Sequence, residues 1–249
     1  MNLDPIDIET EKSKRKGAIE KVPFKHQQEA FAKLNEFFEE GDAKSKRGFL
    51  VLPTGAGKTF TMIKWLYDYA LPKNAKVIWL AHTFHLLDQA YLEFWDNSIF
   101  VRGRDQLYIN EFSGNPYHLQ AFQIDPDLHD VVIMTSQTAI RQWDIDETRS
   151  DGGKQETQFE KFIEENKENP LYLVLDEAHH AAASGCRKLL MGIREAAPGI
   201  NFIGLTATPT HQNETRRGWL KKLFPGEIIY ESNKDELLFQ KILARPNLI

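Results

Sequence analysis

The sequence predicts an α/β fold, a mostly parallel sheet with helices on both faces. Three observations carry that reading. Short apolar runs alternate along the chain with stretches of helical periodicity, as in repeated crossover units. The runs are near-continuously apolar, as strands covered on both faces should be. Small polar and charged residues follow the runs, at the strand ends where such sheets bind ligands.

Met1 to Lys21 carries Lys12, Lys14, Arg15 and Lys16 beside Asp4, Asp7, Glu9 and Glu11. Few apolar residues accompany them, so residues 1–20 are expected to be a loose, flexible tail. A helix opens after Pro23 and runs to about Glu40, with Ala30, Phe31, Leu34, Phe37 and Phe38 at core spacing. Residues 41–47 read as a polar turn. Phe49 to Leu52 is the first of the core strands, and a helix from Lys58 to about Tyr69 ends before Pro72. Lys76 to Ala81 is the next strand, and a helix follows with Leu86, Leu87, Ala90, Tyr91 and Phe94 on one face. Residues 96–130 hold a weak strand, Leu107 to Phe112, among polar loops. Val131 to Met134 is a strand, 144–154 an exposed loop, and Gln155 to Lys167 an amphipathic helix stopped at Asn169-Pro170. Leu171 to Leu175 and Asn201 to Leu205 are strands separated by a helix through Ala197. Thr215 to Phe224, Glu227 to Tyr230 and Lys234 to Leu243 read as helix, strand and closing helix.

The stretch Leu52-Pro53-Thr54-Gly55-Ala56-Gly57-Lys58-Thr59 joins a strand to a helix. Gly55 and Gly57 let the backbone turn tightly and approach a ligand. Successive N–H groups and a helix N-terminus then favour an anion at one spot. Lys58 can reach β- and γ-phosphates and the Thr59 hydroxyl can ligate Mg2+, so this is a Walker A loop in which Leu52 replaces the first glycine. Asp176-Glu177-Ala178-His179-His180 leaves the apolar run Leu171-Tyr172-Leu173-Val174-Leu175. Asp176 is suited to hold Mg2+ through water, and Glu177 to orient or deprotonate an attacking water. His179 has a weaker case, and His180 is read as structural.

The chain has 249 residues, enough for one α/β domain with extensions. Charged residues make up 27% and the net charge is 31 − 36 = −5. That excludes nucleic-acid binding by bulk positive charge, leaving local contacts through backbone amides and short polar side chains. Cys186 is the only cysteine, so no intrachain disulfide forms. With no apolar run of membrane-spanning length and no signal-like N-terminus, a cytoplasmic, membrane-free protein is expected.

These motifs in this order resemble the first RecA-like domain of superfamily 2 helicases and translocases, and within them the DEAH-containing group that includes the motor subunits of type I and type III restriction enzymes. Phe24 to Ala30 resembles the Q motif, Pro53 to Thr59 motif I, Leu80 to Gln89 motif Ia, and Met134 to Thr138 the next strand-end motif. Asp176 to His179 matches motif II and Thr206-Ala207-Thr208 motif III. The resemblance spans about residues 21–246 and implies a RecA-like P-loop NTPase domain over 21–235.

The resemblance implies ATP and Mg2+ as ligands. Thr54, Gly55, Ala56, Gly57, Lys58 and Thr59 would hold the phosphates, with Thr59 and Asp176 at the metal. Lys58, Asp176, Glu177 and His179 would be catalytic. Gln27 would read adenine, against its alternative as a helix-surface glutamine. His82, Thr83, Thr135 and Gln137 would grip a nucleic-acid backbone, DNA favoured over RNA. Thr206 and Thr208 would couple the two sites, or instead cap the next turn. Gly185-Cys186 stands where relatives often carry an aromatic, a departure that touches subfamily placement. A motor of this kind needs a second RecA-like domain with an arginine finger. Residues 236–249 are therefore expected to begin a linker to a domain absent from this chain, and a nuclease or restriction subunit is an expected partner. An RNA helicase, a nucleotide switch without translocation and an unrelated P-loop enzyme are the competing readings.

Overall fold

The structure is a computed structural model and describes residues 3–40, 45–143, 156–208, 214–226 and 228–243. The turn expected at 41–47 and the loop at 144–154 fall largely or wholly outside these residues, as does the expected linker beyond 243.

Nine α-helices and nine strands follow one another among the described residues. A two-residue strand β1 (Ile6–Asp7) and helix α1 (Ile8–Lys14) come first, then α2 (Lys25–Glu39), β2 (Arg47–Val51), α3 (Lys58–Trp65), β3 (Lys76–Ala81) and α4 (Phe84–Asn97). Next are β4 (Gln106–Leu107), β5 (Ile109–Phe112), β6 (Val131–Thr135), α5 (Ser136–Trp143), α6 (Gln158–Glu165), β7 (Leu171–Leu175) and α7 (Ser184–Ala196). The last are β8 (Asn201–Thr206), α8 (Glu214–Leu223), β9 (Ile228–Glu231) and α9 (Lys234–Phe239).

Seven strands form one sheet in the order β5-β6-β3-β7-β8-β2-β9, and every pairing in it is parallel. Successive strand residues face opposite layers, which divides the core in two. Leu50, Val77, Trp79 and Ile133 meet Leu34 of α2, Ile63 of α3 and Phe94 of α4. Phe49, Ile78, Leu80 and Leu173 meet Phe162 of α6, Leu190 of α7 and Leu223 of α8. Helices on both faces explain why the strands read as unbroken apolar runs rather than alternating ones.

The N-terminal segment departs from the expected loose tail. Ile6 pairs antiparallel with Leu107 of β4, and Ile6 and Ile8 are buried. Asp7 caps α1, its Oδ1 accepting from Thr10 N at 2.8 Å. Arg15 donates to the Trp95 carbonyl at 2.9 Å and lies 4.8 Å above that indole. Two isoleucines and one arginine anchor the segment, and their partners lie some ninety residues away, where local composition carries no trace of them. The weak strand expected over 107–112 is two strands. Its first part pairs with the N-terminal ribbon and its second forms the sheet edge beside β6.

Candidate functional site

Strand order sets the site. The loop after β2, Thr206 at the end of β8 and Asp176 just after β7 leave three neighbouring strands. At about 4.8 Å per strand they span about 10 Å, the size of a triphosphate site. Continuing along the sheet, His82 and Thr83 follow β3, and Gln137 follows β6. All these residues crowd the carboxyl ends of the strands, the edge the sequence predicted for ligand binding.

The phosphate loop has the shape its glycines demand. Gly55 and Gly57 have φ of +84° and +78°, and Gly57 caps α3 in the left-handed region. A Cβ at Gly57 would sit 2.7 Å from Gln27 Nε2. Two side chains of α2 brace this loop from behind: His26 Nε2 and Gln27 Nε2 both donate to the Ala56 carbonyl, at 3.0 and 3.3 Å. Gln27 Oε1 accepts from Phe24 N at 2.9 Å, and the residue is buried. The structure thus places Gln27 beneath the loop as a brace, and His26 is a second brace that motif reading did not single out.

Asp176 is 4% exposed. Burial, and then the adjacent Glu177 carboxylate, push its carboxyl up to about 6, while the Glu177 N–H at 3.0 Å and Lys58 pull the other way. A carboxylate buried at this cost is a fitting partner for a cation. Glu177 has φ of +50°, a left-handed backbone that costs a non-glycine residue energy and is found where function demands it. That twist turns its side chain toward both Lys58 Nζ, at 3.8 Å, and His179 Nδ1, at 3.3 Å. The Lys58 side chain is 9% exposed. Lys58, Asp176, Glu177 and His179 are therefore one cluster. The left-handed glycine cradle, the half-buried lysine and the buried carboxylate fit Mg2+ and a polyphosphate.

The remaining residues divide. Thr206 is fully buried and closes a turn on itself: its Oγ1 donates to the Thr208 carbonyl at 2.9 Å and accepts from Thr208 N at 3.1 Å. Thr208 is exposed. Thr83 caps α4, its Oγ1 accepting from Leu86 N at 3.3 Å. Thr135 is buried and bonded to Thr138, so of the four expected backbone-gripping residues it has its hydroxyl turned inward. His82, Thr83 and Gln137 are exposed. His180, read as structural, stacks on His82 with centroids 3.9 Å apart and planes within 9°. With Gln137 and Asp176 the pair lines a cleft of about 460 Å3 that reaches Cys186. The stack joins the turn after β7 to the β3 strand end, and nothing in the sequence spacing of 82 and 180 announces it.

Gly204 was also invisible to motif reading. A Cβ there would lie 2.6 Å from Phe49 Cδ1 and 2.8 Å from Ala178 Cβ. A glycine inside a strand marks a close approach, and this one lets the turn carrying Glu177 sit down on β8.

No curated protein sequence matches the chain. Among solved structures, a nuclease-deletion mutant of the type ISP restriction-modification enzyme LlaGI, in complex with a DNA substrate mimic, is similar at 20% identity with a TM-score of 0.54, over 89% of this chain and 21% of that one. A hypothetical ATP-dependent RNA helicase from Sulfolobus tokodaii gives 18% and 0.56, over 89% of this chain and 56% of that one. The UvsW helicase from bacteriophage T4 gives 20% and 0.54, over 91% and 67%. The chain thus spans only part of the length of the structures it resembles, and the likeness shows the RecA-like fold. Among the described residues no helix is long and apolar enough to cross a membrane. Residues 20–211 match the family described as type III restriction enzyme, res subunit, and the chain belongs to that family.

Proposed function

We propose that this chain is the nucleotide-binding half of an ATP-driven motor that acts on nucleic acid, with DNA as the track. The observation that carries it is the convergence of Lys58, from the loop after β2, on Glu177, from the turn after β7, at 3.8 Å beside buried Asp176. Lys58 and the amides of residues 54–59 hold the β- and γ-phosphates. Thr59 and Asp176 hold Mg2+, which neutralises charge on the phosphates when bound. Glu177 orients the attacking water and takes its proton, and His179 steadies the Glu177 carboxylate. His82, Thr83 and Gln137 are accessible from the same edge and suit phosphate contacts without net positive charge. The acidic chain total and the exposed polar residues there support a local grip.

Turnover in this reading needs a second RecA-like domain that supplies an arginine. Such a residue is worth about 10^3–10^5 in rate, so the chain alone binds Mg-ATP and hydrolyses it slowly. The test is steady-state ATP hydrolysis with duplex DNA, single-stranded DNA and RNA, for this chain, its Glu177→Gln variant and any longer chain from its source. Stimulation of the longer chain by DNA, with Glu177→Gln binding nucleotide but inert, supports the proposal. Stimulation by RNA alone changes the track, and indifference to every polymer makes the chain a nucleotide switch. Fast polymer-stimulated turnover by this chain by itself refutes the need for a second domain.

A further inference from the structure

A second cluster of ligating side chains lies away from the nucleotide site, at the β5 edge of the sheet. Asp88 comes from the second turn of α4, Glu111 from β5 and His118 from the loop that follows it. One carboxylate oxygen from each acid and one ring nitrogen of His118 all lie within 4.8 Å of one another. His118 Nε2 is 3.1 Å from Asp88 Oδ1 and 3.8 Å from Glu111 Oε1. Tetrahedral zinc with bonds of about 2.0–2.1 Å separates its ligand atoms by about 3.3 Å, and the two distances bracket that value.

Burial makes the cluster more than an acidic patch. The side chains of Glu111 and His118 are 4% and 5% exposed. Glu111 Oε2 is sealed from solvent, and no donor among the described residues bonds it. Asp88 Oδ1 is likewise sealed and lacks a well-formed hydrogen bond, although the side chain as a whole is 48% exposed. A buried carboxylate without hydrogen bonds is costly unless a cation meets it. On the far side of the imidazole, Ser113 Oγ lies 2.7 Å from Nδ1. A proton on Nδ1 shared with that hydroxyl leaves the Nε2 lone pair facing the two acids, the outer support that metal-bound histidines use.

We propose that Asp88, Glu111 and His118 form a binding site for a divalent transition-metal ion of the zinc class. One imidazole and two carboxylates match the mixed nitrogen and oxygen preference of such ions over Mg2+. The half-exposed Asp88 gives the entry path and a fourth position open to water. The ion would pin α4, whose N-terminus carries Thr83, to the edge strand and its loop.

The experiment is Zn2+ titration by calorimetry and thermal unfolding of the full chain in saturating Mg2+. The variants are Asp88→Asn, Glu111→Gln, His118→Gln, Ser113→Ala and, as control, Asp176→Asn. Wild type and Asp176→Asn are expected to bind one Zn2+ at this site and to gain several degrees in Tm, reversed by a chelator. Each ligand variant should lose at least about 100-fold in affinity, and Ser113→Ala about 10-fold. Co2+ in place of Zn2+ should give visible d–d bands that His118→Gln abolishes. If Asp88→Asn binds Zn2+ within about twofold of wild type, or Zn2+ leaves the wild-type Tm unmoved, the site is refuted. Asp88 is half-exposed, so its variant stays informative even if the buried substitutions fail to fold.

Discussion

Gly204→Ala would place one methyl group where β8 passes beneath the turn that carries Glu177. Its Cβ would stand 2.6 and 2.7 Å from two ring carbons of Phe49 and 2.8 Å from Ala178 Cβ. Those separations are about 1 Å inside the carbon–carbon optimum of about 3.5–4.0 Å. Neither neighbour can withdraw cheaply. The Phe49 ring backs onto Phe224 with centroids 4.3 Å apart, and Ala178 is fully buried next to Glu177. Gly204 has no left-handed backbone to relieve, so the cost is steric alone. Overpacking a core costs about 1–3 kcal/mol, and rigid contacts on two sides place this case at about 2–3 kcal/mol. At about 2–4 °C per kcal/mol for a domain of this size, Tm should fall by roughly 5–10 °C. Because Ala178 is one of the two residues in the way, nucleotide affinity should fall as well. The decisive assay is a double-mutant cycle with Phe49→Leu, read by urea unfolding and by a fluorescent ATP analogue. Room made at Phe49 should recover at least about 1 kcal/mol of the Gly204→Ala cost. Additive single effects, within about 0.5 kcal/mol, or an unchanged Tm would refute the packing argument.

Ile8→Ala should destabilise the fold by about 2–4 kcal/mol, because Ile8 is 1% exposed against the body of the domain. A loose tail would give less than about 0.5 kcal/mol in the same unfolding experiment. Burial pushes the Cys186 thiol up to about 12. At pH 8 roughly one molecule in 10,000 then carries the thiolate, and a disulfide reagent should label the native protein about a thousandfold more slowly than the urea-unfolded chain. Equal rates would mean that the cleft wall at α7 opens freely.

Much of this molecule was legible because its signals are local. Leu171 to Leu175 read as a buried strand, and Asp176-Glu177 read as its polar end, from seven consecutive residues. Gly55 and Gly57 marked a tight turn in the chain, and both have positive φ. The misreadings were non-local. Ile6 and Ile8 looked like isolated residues in a charged segment until β4 and the body of the domain covered them. His180 reads as structural in the sequence, but its stacking partner His82 is set only by the fold. Asp88, Glu111 and His118 carry no spacing that a motif could use, since a helix, an edge strand and a loop each contribute one.

The sequence by itself determined which residues sit at strand ends, because hydrophobic runs and the polar residues that stop them are written in order along the chain. It could not determine which strand ends are neighbours. In sequence the signatures run from the phosphate loop through His82, Gln137 and Asp176 to Thr206. In space they run Gln137, His82, Asp176, Thr206 and then the phosphate loop. That reordering comes from parallel crossovers, each of which carries the chain over a face of the sheet and returns it beside a strand chosen by packing. Only this places Lys58 against Glu177 across 118 positions of sequence, and only this turns separate strand ends into one site.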